Sequence, residues 1–592
     1  MSMVAEDLHE GTGTGADWQS RRIAAWGIAA VVCSLIGLLI VTARVIQLKI
    51  APGDQLTAVM VDPFSTRTSV GRRGDLVDRS GRLLATSTIG WRLFVDPAEV
   101  EDLATIGVRI QSLIGLDAVE IDKRLSRRLR SRFVALSDIL EDWQVDRIQS
   151  ADLPGVGLER RQVRVYPQEH SAARLVGTVG FDHEGLGGLE HALESRLGGT
   201  PGSVRYLRDV RRRPLWVASH EYRPQVDAEP VRLSIDMAIQ RYVEHRLQVA
   251  VDSCNAGGGR AIVIDPDSGE ILALADIISE REGWPGQPED PLRDKHERLG
   301  RNRCVSDPYE PGSTFKPFIW AVATEAGLAE SEEVLPTPAA VPYRTSTGRR
   351  VRDVHYYGPM SWRRVLVKSL NSGMAIVAER MSPELMQSCV HRFGFGQRTG
   401  CGIAGETAGL VTPGASWTSY SQVSVAMGHE IGVTPLQMVR GFSAFARDGT
   451  LPSLRLLADD DASPVEQRAI DASTALFVRE IMEEVMTDGT GRASQSEQYR
   501  LFGKSGTAQL PRVEGGGYHE DRYISSFIAG APFDQPRVVV LCVIDDPDRS
   551  LGAWYGGRVA GPVVRDMIDF SLKYLGVPAD KMPEDRAFSA SR

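Results

Sequence analysis

Residues Ile23 to Ala43, "IAAWGIAAVVCSLIGLLIVTA", run for 21 positions without a charge, between Arg21–Arg22 and Arg44. In lipid each backbone amide must be satisfied within its own segment, so a run of this length is read as a helix that spans a bilayer. A signal-peptide core is usually shorter, and no small-x-small cleavage site follows; the alternative is a fully buried helix of a soluble protein. Arginines precede the segment, and Arg44 and Lys49 follow it, so the distribution of positive charge gives no orientation. No second run of this length occurs, which puts the rest of the chain on one side of the membrane. Residues 1–22 form a short polar tail.

The 592 residues suffice for two to four domains, and 42% apolar with 24% charged residues is an ordinary globular balance. A net charge of −9 argues against a nucleic-acid partner. The stretches 123–132 and 205–214 are locally basic and are read as solvated arginine-rich faces rather than binding patches. Six dispersed cysteines form no C-x-x-C, and no His or Cys stands at zinc spacing, so neither metal nor cofactor is expected. Their spacing leaves the disulfide state open.

From about 50 to 230 the chain mixes short β-like runs ("WRLFVDP", "RFVAL") with polar helical pieces. At 230–251 a short apolar run leads through Ser234 and Asp236 into a helix with apolar residues near 3.6 spacing. Runs 259–266 and 270–276, joined by Asp267-Ser268-Gly269, predict a hairpin. A mostly helical stretch follows to about 490. Strand-like runs return at 501–510, 522–532 and 536–545, and a last helix covers about 561–574. The order predicts an α+β fold: an antiparallel sheet of about five strands with helices on its faces.

The lysines carry the chemistry. Of 68 basic residues only eight are lysine, yet one, Lys316, stands three residues after Ser313 behind a Pro-Gly turn in "EPGSTFKPF". Arginine cannot give up its proton in a protein, whereas a desolvated lysine can. If a helix starts at Ser313, the two side chains share a face about 5–6 Å apart, and the helix dipole favours an anion at Ser313. Read alone, the pattern is weak and better fits a serine cap before a surface lysine. "KSLNSGMA" adds Ser369 and Asn371, two residues apart, which can point a hydroxyl and an amide into one cleft. "GKSGTAQ" adds another scarce lysine, Lys504, on a strand, as a fixed positive charge. Gly506 clears room for a peptide backbone to pair along the strand edge, and Ser505 and Thr507 offer hydroxyls to a carboxylate.

S-x-x-K, S-x-N and K-S-G-T in this order resemble the signature of penicillin-binding proteins and class A β-lactamases. "RRGDLVDRSGRLLATS" (72–87), "RVYPQEHSAARLVGTVG", "GLGGLEHALESRLGGTPG", "LSIDMAIQ", "VTPLQM" and "YGGRVAGPVVRDMI" resemble further landmarks, so that residues 72–570 are similar to a class B penicillin-binding protein, a peptidoglycan D,D-transpeptidase. The compact N-terminal module resembles division-type more than elongation-type enzymes. One departure is Glu430 in "MGHEIGVTPLQ", where the family usually has a second glycine.

The resemblance implies a cytoplasmic tail (1–22), a transmembrane helix (23–43), an N-terminal pedestal, dimerisation-like domain (44–229), a transpeptidase domain (230–578) and a C-terminal tail (579–592). The catalytic part would lie outside the inner, cytoplasmic membrane. It further implies that Lys316, neutralised by burial and by Lys504, takes the proton of Ser313, which attacks D-Ala-D-Ala. The Ser313 and Thr507 N–H groups would bind the oxyanion, Ser369 would pass the proton to the leaving D-alanine, and Asn371 would orient substrate. Lys504, Ser505 and Thr507 would receive its carboxylate, and a neighbouring stem-peptide amine would complete the crosslink. Implied partners are stem peptides, penicillin and other β-lactams, and a membrane glycan polymerase. Alternatives are an elongation-type role, a D,D-carboxypeptidase and a non-catalytic β-lactam-binding scaffold.

Overall fold

The computed structural model describes residues 14–51, 64–180, 183–208, 214–279, 297–458, 467–512 and 515–581. Residues 1–13 of the expected N-terminal tail, 209–213 of the second basic stretch and 582–592 of the C-terminal tail lie outside them. The chain divides into two compact units, Met1–Ser69 with Pro201–Pro224, and Val70–Thr200 with Gln225–Arg592.

In the first unit the apolar run lies inside one helix, Thr14–Ile50. Its part Trp18–Ile50 has a mean hydropathy of 2.5 over its most apolar stretch and is long and apolar enough to cross a membrane. Ile28, Leu35, Leu39 and Val41 all stand exposed. Apolar residues all round a helix need a cover that water does not supply. The unit also holds a three-stranded antiparallel sheet in which Gly202–Arg208 pairs with both Phe64–Ser69 and Pro214–Arg223.

In the second unit the N-terminal module is built on strand Leu83–Val95, which contains the expected β-like run. It pairs antiparallel with Val134–Leu140 and Val156–Val165. Ile106, Ile110, Ile121 and Ile148 from three helices close a core against Leu93, Val95 and Leu136. In the first basic stretch Arg124 pairs with Glu120 and Arg132 with Asp96 and Glu99, an ordinary solvated face.

The C-terminal part follows the expected order. Helix α1 (Met237–Ser253) starts at Asp236, whose side chain accepts the Ala238 N–H at 2.9 Å. Strands β1 (Gly258–Ile264) and β2 (Ile271–Ile278) form the hairpin, with Gly269 at φ +73° in its turn. The helical stretch includes α2 (Lys316–Glu325), α3 (Trp362–Lys368), α4 (Asn371–Ala378), α5 (Pro435–Ala446) and α6 (Ala472–Asp488). Strands β3 (Phe502–Pro511), β4 (Tyr518–Ala531) and β5 (Val538–Asp545) complete an antiparallel sheet of order β2-β1-β5-β4-β3, and α7 (Gly561–Tyr574) follows.

Side chains alternate across each strand. Ala261, Val263, Val540 and Cys542 meet Val243 and Leu247 of α1 and Val564 and Met567 of α7. Ile262, Ile264, Leu541 and Val543 belong to the core that holds Phe318 of α2 and Val439 and Phe442 of α5. Each Val, Leu, Ile, Phe or Met among them contributes about 1.5–3 kcal/mol by burial. With both faces covered, residues 261–264 of β1 and 538–544 of β5 read as unbroken apolar runs. β3, by contrast, lies at the sheet edge. All six cysteines are free thiols, which answers what their spacing left open.

Candidate active site

Gly312 makes the Pro-Gly turn possible: its φ is +55°, its N–H donates to Gly428 O at 3.0 Å, and a Cβ there would stand 3.3 Å from Thr507 O. The chain does not enter an α-helix at Ser313, as the spacing predicts. Gly312–Phe315 form a 3₁₀ turn, and α2 begins at Lys316 with Pro317 in its first turn. Residues at i and i+3 eclipse in a 3₁₀ turn, so Ser313 and Lys316 still share an edge. Among the described residues Ser313 Oγ has no hydrogen-bond partner.

Lys316 is 0% exposed. Its Nζ donates to Ser369 O at 2.7 Å and Asn371 Oδ1 at 2.6 Å, with Ser369 Oγ at 3.4 Å. Two short bonds use both hydrogens of a neutral amine and leave its lone pair directed elsewhere. Burial pulls its pKa from 10.5 down to about 7, against the opposing pull of Asp353. Both acceptors are held for this purpose. Ser369 closes α3 in a left-handed conformation, φ +60°, and so turns its carbonyl and hydroxyl into the cleft. That costs about 1–2 kcal/mol for a non-glycine residue. Asn371 opens α4, where Asp353 Oδ1 accepts the N–H groups of Asn371 and Ser372, and its Nδ2 donates to Arg352 O at 2.8 Å. Asn371 therefore holds the lysine.

Lys504 reaches the same hydroxyl from β3. Its Nζ donates to Ser369 Oγ at 2.8 Å and Ser505 O at 3.1 Å, and it too is 0% exposed. Burial first, and Lys316 second, lower its pKa well below the usual lysine value. Burial thus works against the fixed positive charge expected here, since two ammonium groups around one hydroxyl are costly to retain together. Burial is the first cause of the lowered Lys316 pKa as well, and repulsion between the two amines acts in the same direction on both.

Gly506 has a reason within the chain itself beside the one expected. A Cβ there would stand 2.7 Å from Pro311 O and 2.9 Å from Thr314 Cγ2, so the missing side chain admits the serine turn of the chain itself. The edge position of β3 is what leaves one side of its backbone open to a further strand. Ser505 Oγ donates to Thr490 Oγ1 at 2.7 Å, and Thr507 Oγ1 accepts the Gly556 N–H at 3.0 Å. All eight predicted residues are thus drawn around one turn, one helix junction and one edge strand. Sequence reading missed Asp353 and Thr490, which no motif marks. Glu430 had been marked, and it has φ +56°, the conformation that its usual glycine would adopt without strain.

The penicillin-binding protein transpeptidase domain matches residues 259–569, and the penicillin-binding protein dimerisation domain matches residues 68–233. The chain belongs to the class B penicillin-binding proteins. This class B chain is 30% identical to peptidoglycan D,D-transpeptidase FtsI of Escherichia coli K12 over 93% of its own length and 92% of that protein. It is 33% identical to penicillin-binding protein PbpB of Mycolicibacterium smegmatis over 73% of its length and 68% of that protein. It is also similar to the crystal structure of penicillin-binding protein 3 from Mycobacterium tuberculosis complexed with aztreonam, at 26% identity and a TM-score of 0.64, covering 87% of this chain and 98% of that one.

Proposed function

We propose that this class B penicillin-binding protein is a peptidoglycan D,D-transpeptidase that works through an acyl-enzyme on Ser313, at the division septum. One observation carries the reading: two buried lysines from distant parts of the chain converge on the Ser369 hydroxyl beside the serine turn. A buried amine with a pKa near 7 is half neutral at physiological pH, as a general base must be. Lys316 takes the Ser313 proton, Ser313 attacks the penultimate D-alanine carbonyl, and Ser369 relays the proton to the leaving D-alanine. The substrate strand lies along the open edge of β3. Its terminal carboxylate restores the charge of Lys504 and meets the Ser505 and Thr507 hydroxyls, while the Ser313 and Thr507 N–H groups receive the oxyanion. An amine of a second stem peptide then displaces Ser313. β-Lactams acylate the same serine.

The septal role is supported by similarity to FtsI. The segments 23–43, 44–229 and 230–578 act as membrane anchor, pedestal and transpeptidase, with residues 1–22 cytoplasmic, 579–592 a tail, and the catalytic part outside the cytoplasmic membrane. Glycan strands come from a membrane polymerase partner. The test is the purified chain with labelled penicillin and with a D-Ala-D-Ala donor plus an amine. Ser313-dependent labelling and a crosslinked product support the reading. Release of D-alanine without transfer would make the chain a carboxypeptidase, and absence of labelling would leave only a scaffold.

A further inference from the structure

Glu310 stands three residues before Ser313, and its carboxylate takes no part in the scheme above. It is only 14% exposed and carries three donors. Oε2 meets His429 Nδ1 at 2.8 Å, and Oε1 accepts the Glu430 N–H at 3.0 Å and the Tyr518 hydroxyl at 2.9 Å. The turn holding His429 is locked to the nucleophile's own turn. Gly428 O accepts the Gly312 N–H, and a Cβ on Gly428 would stand 2.0 Å from Gly312 O. Tyr309 and Val433 extend this contact as an antiparallel bridge.

A carboxylate can only accept, so in the neutral ring Nδ1 carries the hydrogen and Nε2 presents a lone pair. His429 is 28% exposed, open enough to meet a ligand. Glu430 adds a second carboxylate, which accepts the Ser424 hydroxyl at 2.9 Å, and it is held at φ +56° where glycine would be free of strain. Arg349 donates to Ser424 Oγ and lies over the Tyr420 ring. The Tyr518 ring stands edge-on to His429 at 5.8 Å.

The second half-reaction needs something that Lys316 and Ser369 do not supply. Their relay can return one proton from the attacking nitrogen to Ser313 Oγ, as the reverse of acylation. A primary amine at neutral pH, however, arrives as an ammonium with one proton too many. We propose that His429, oriented by Glu310, accepts that surplus proton, and that Glu310 and Glu430 together draw the acceptor ammonium to the serine turn. His429 Nε2 takes the proton and passes it to water. The freed nitrogen lone pair attacks the acyl carbon and forms the new C–N bond. The C–Oγ bond breaks, and its electron pair and the second N–H proton end on Ser313. Ester plus ammonium thus give amide, serine and one released proton. His429 is a catalytic residue in this scheme, and Glu310 a positioning one.

The inference rests on the transpeptidase reading, so the test separates the two. The full-length chain in detergent is acylated with a D-Ala-D-Ala donor, and transfer is then measured to a stem-peptide amine, which is an ammonium at pH 7, and to methoxyamine, which is uncharged there. His429→Gln should leave acylation within about twofold and cut transfer to the ammonium acceptor by tenfold or more, within the range of general-base effects. Transfer to methoxyamine should stay within about twofold. Glu310→Gln should show the same selectivity with a smaller loss. Equal losses with both acceptors, an unchanged rate with the ammonium acceptor, or a parallel fall in acylation would each overturn the role of His429. A wild-type chain that forms no acyl-enzyme would overturn the transpeptidase reading instead.

Discussion

The N-terminal module and the catalytic cleft both bury cations, and they treat them in opposite ways. In the module, Arg73 and Arg164 each meet Glu190 at 2.7 Å, with all three side chains almost wholly enclosed. A similar arrangement recurs behind the site, where Arg260 and Arg303 share Asp545, and Arg303 also meets Asp276. In the cleft, Lys316 and Lys504 are as deeply buried, but among the described residues neither has a carboxylate in ion-pair contact. A compensated charge stays charged and holds architecture in place. An uncompensated lysine gives up its proton, which makes it useful for chemistry.

The sharpest way to break the comparison is to put the module's cation into the cleft. Lys316→Arg restores a permanent charge beside Ser313 and should lower the penicillin acylation rate by about 10³-fold or more, measured by stopped-flow or gel labelling. The converse is to remove compensation from the module. Glu190→Ala leaves the buried Arg164 without its carboxylate and Arg73 with only the half-exposed Glu194, and should cost about 3–5 kcal/mol, read as a fall in the thermal or denaturant midpoint. Acylation by the fraction still folded should be unchanged; a variant as stable as wild type would end the distinction.

A milder test uses pH. With Lys316 at about 7, the protonated form dominates below that value and cannot accept the Ser313 proton. Acylation kcat/KM should therefore fall toward tenfold per unit below about pH 7 and level off above it. A profile still rising at pH 9 would mean that burial does not act as described. The smallest effect is expected at Glu430. Replacement by glycine releases the left-handed residue and should stabilise the fold by up to about 1 kcal/mol in chemical denaturation, since the strain relieved is offset by the greater freedom of an unfolded glycine. In the same variant, KM for the acceptor amine should rise while acylation stays constant.

Much of this site was legible because its chemistry sits in short motifs. Ser313 and Lys316 are three residues apart, Ser369 and Asn371 two, and 504–507 are consecutive, so local geometry alone constrains each group. The hairpin at 258–278 and the Asp236 cap are local for the same reason. The residues that escaped notice act across the chain: Asp353 caps a helix that begins 18 residues later, at Asn371, Thr490 meets Ser505 from the end of α6, and Glu310 meets His429 across 119 positions. Gly506 was noticed for clearance toward a substrate, and the structure adds clearance toward Thr314 of the chain itself, which leaves the same mark on a sequence.

By itself the sequence determined the order of helices and strands in the C-terminal part, that one helix is apolar enough to cross a membrane, and which hydroxyls, amide and lysines gather at the candidate site. These follow from nearest-neighbour sterics, hydropathy and side-chain chemistry, all properties of a few adjacent residues. Only the tertiary structure decided that β3 is an edge strand, that both lysines meet on one hydroxyl, and that among the described residues neither has a carboxylate in ion-pair contact. Burial is a property of everything packed around a group, and a lysine becomes a base only when distant segments have taken its water away.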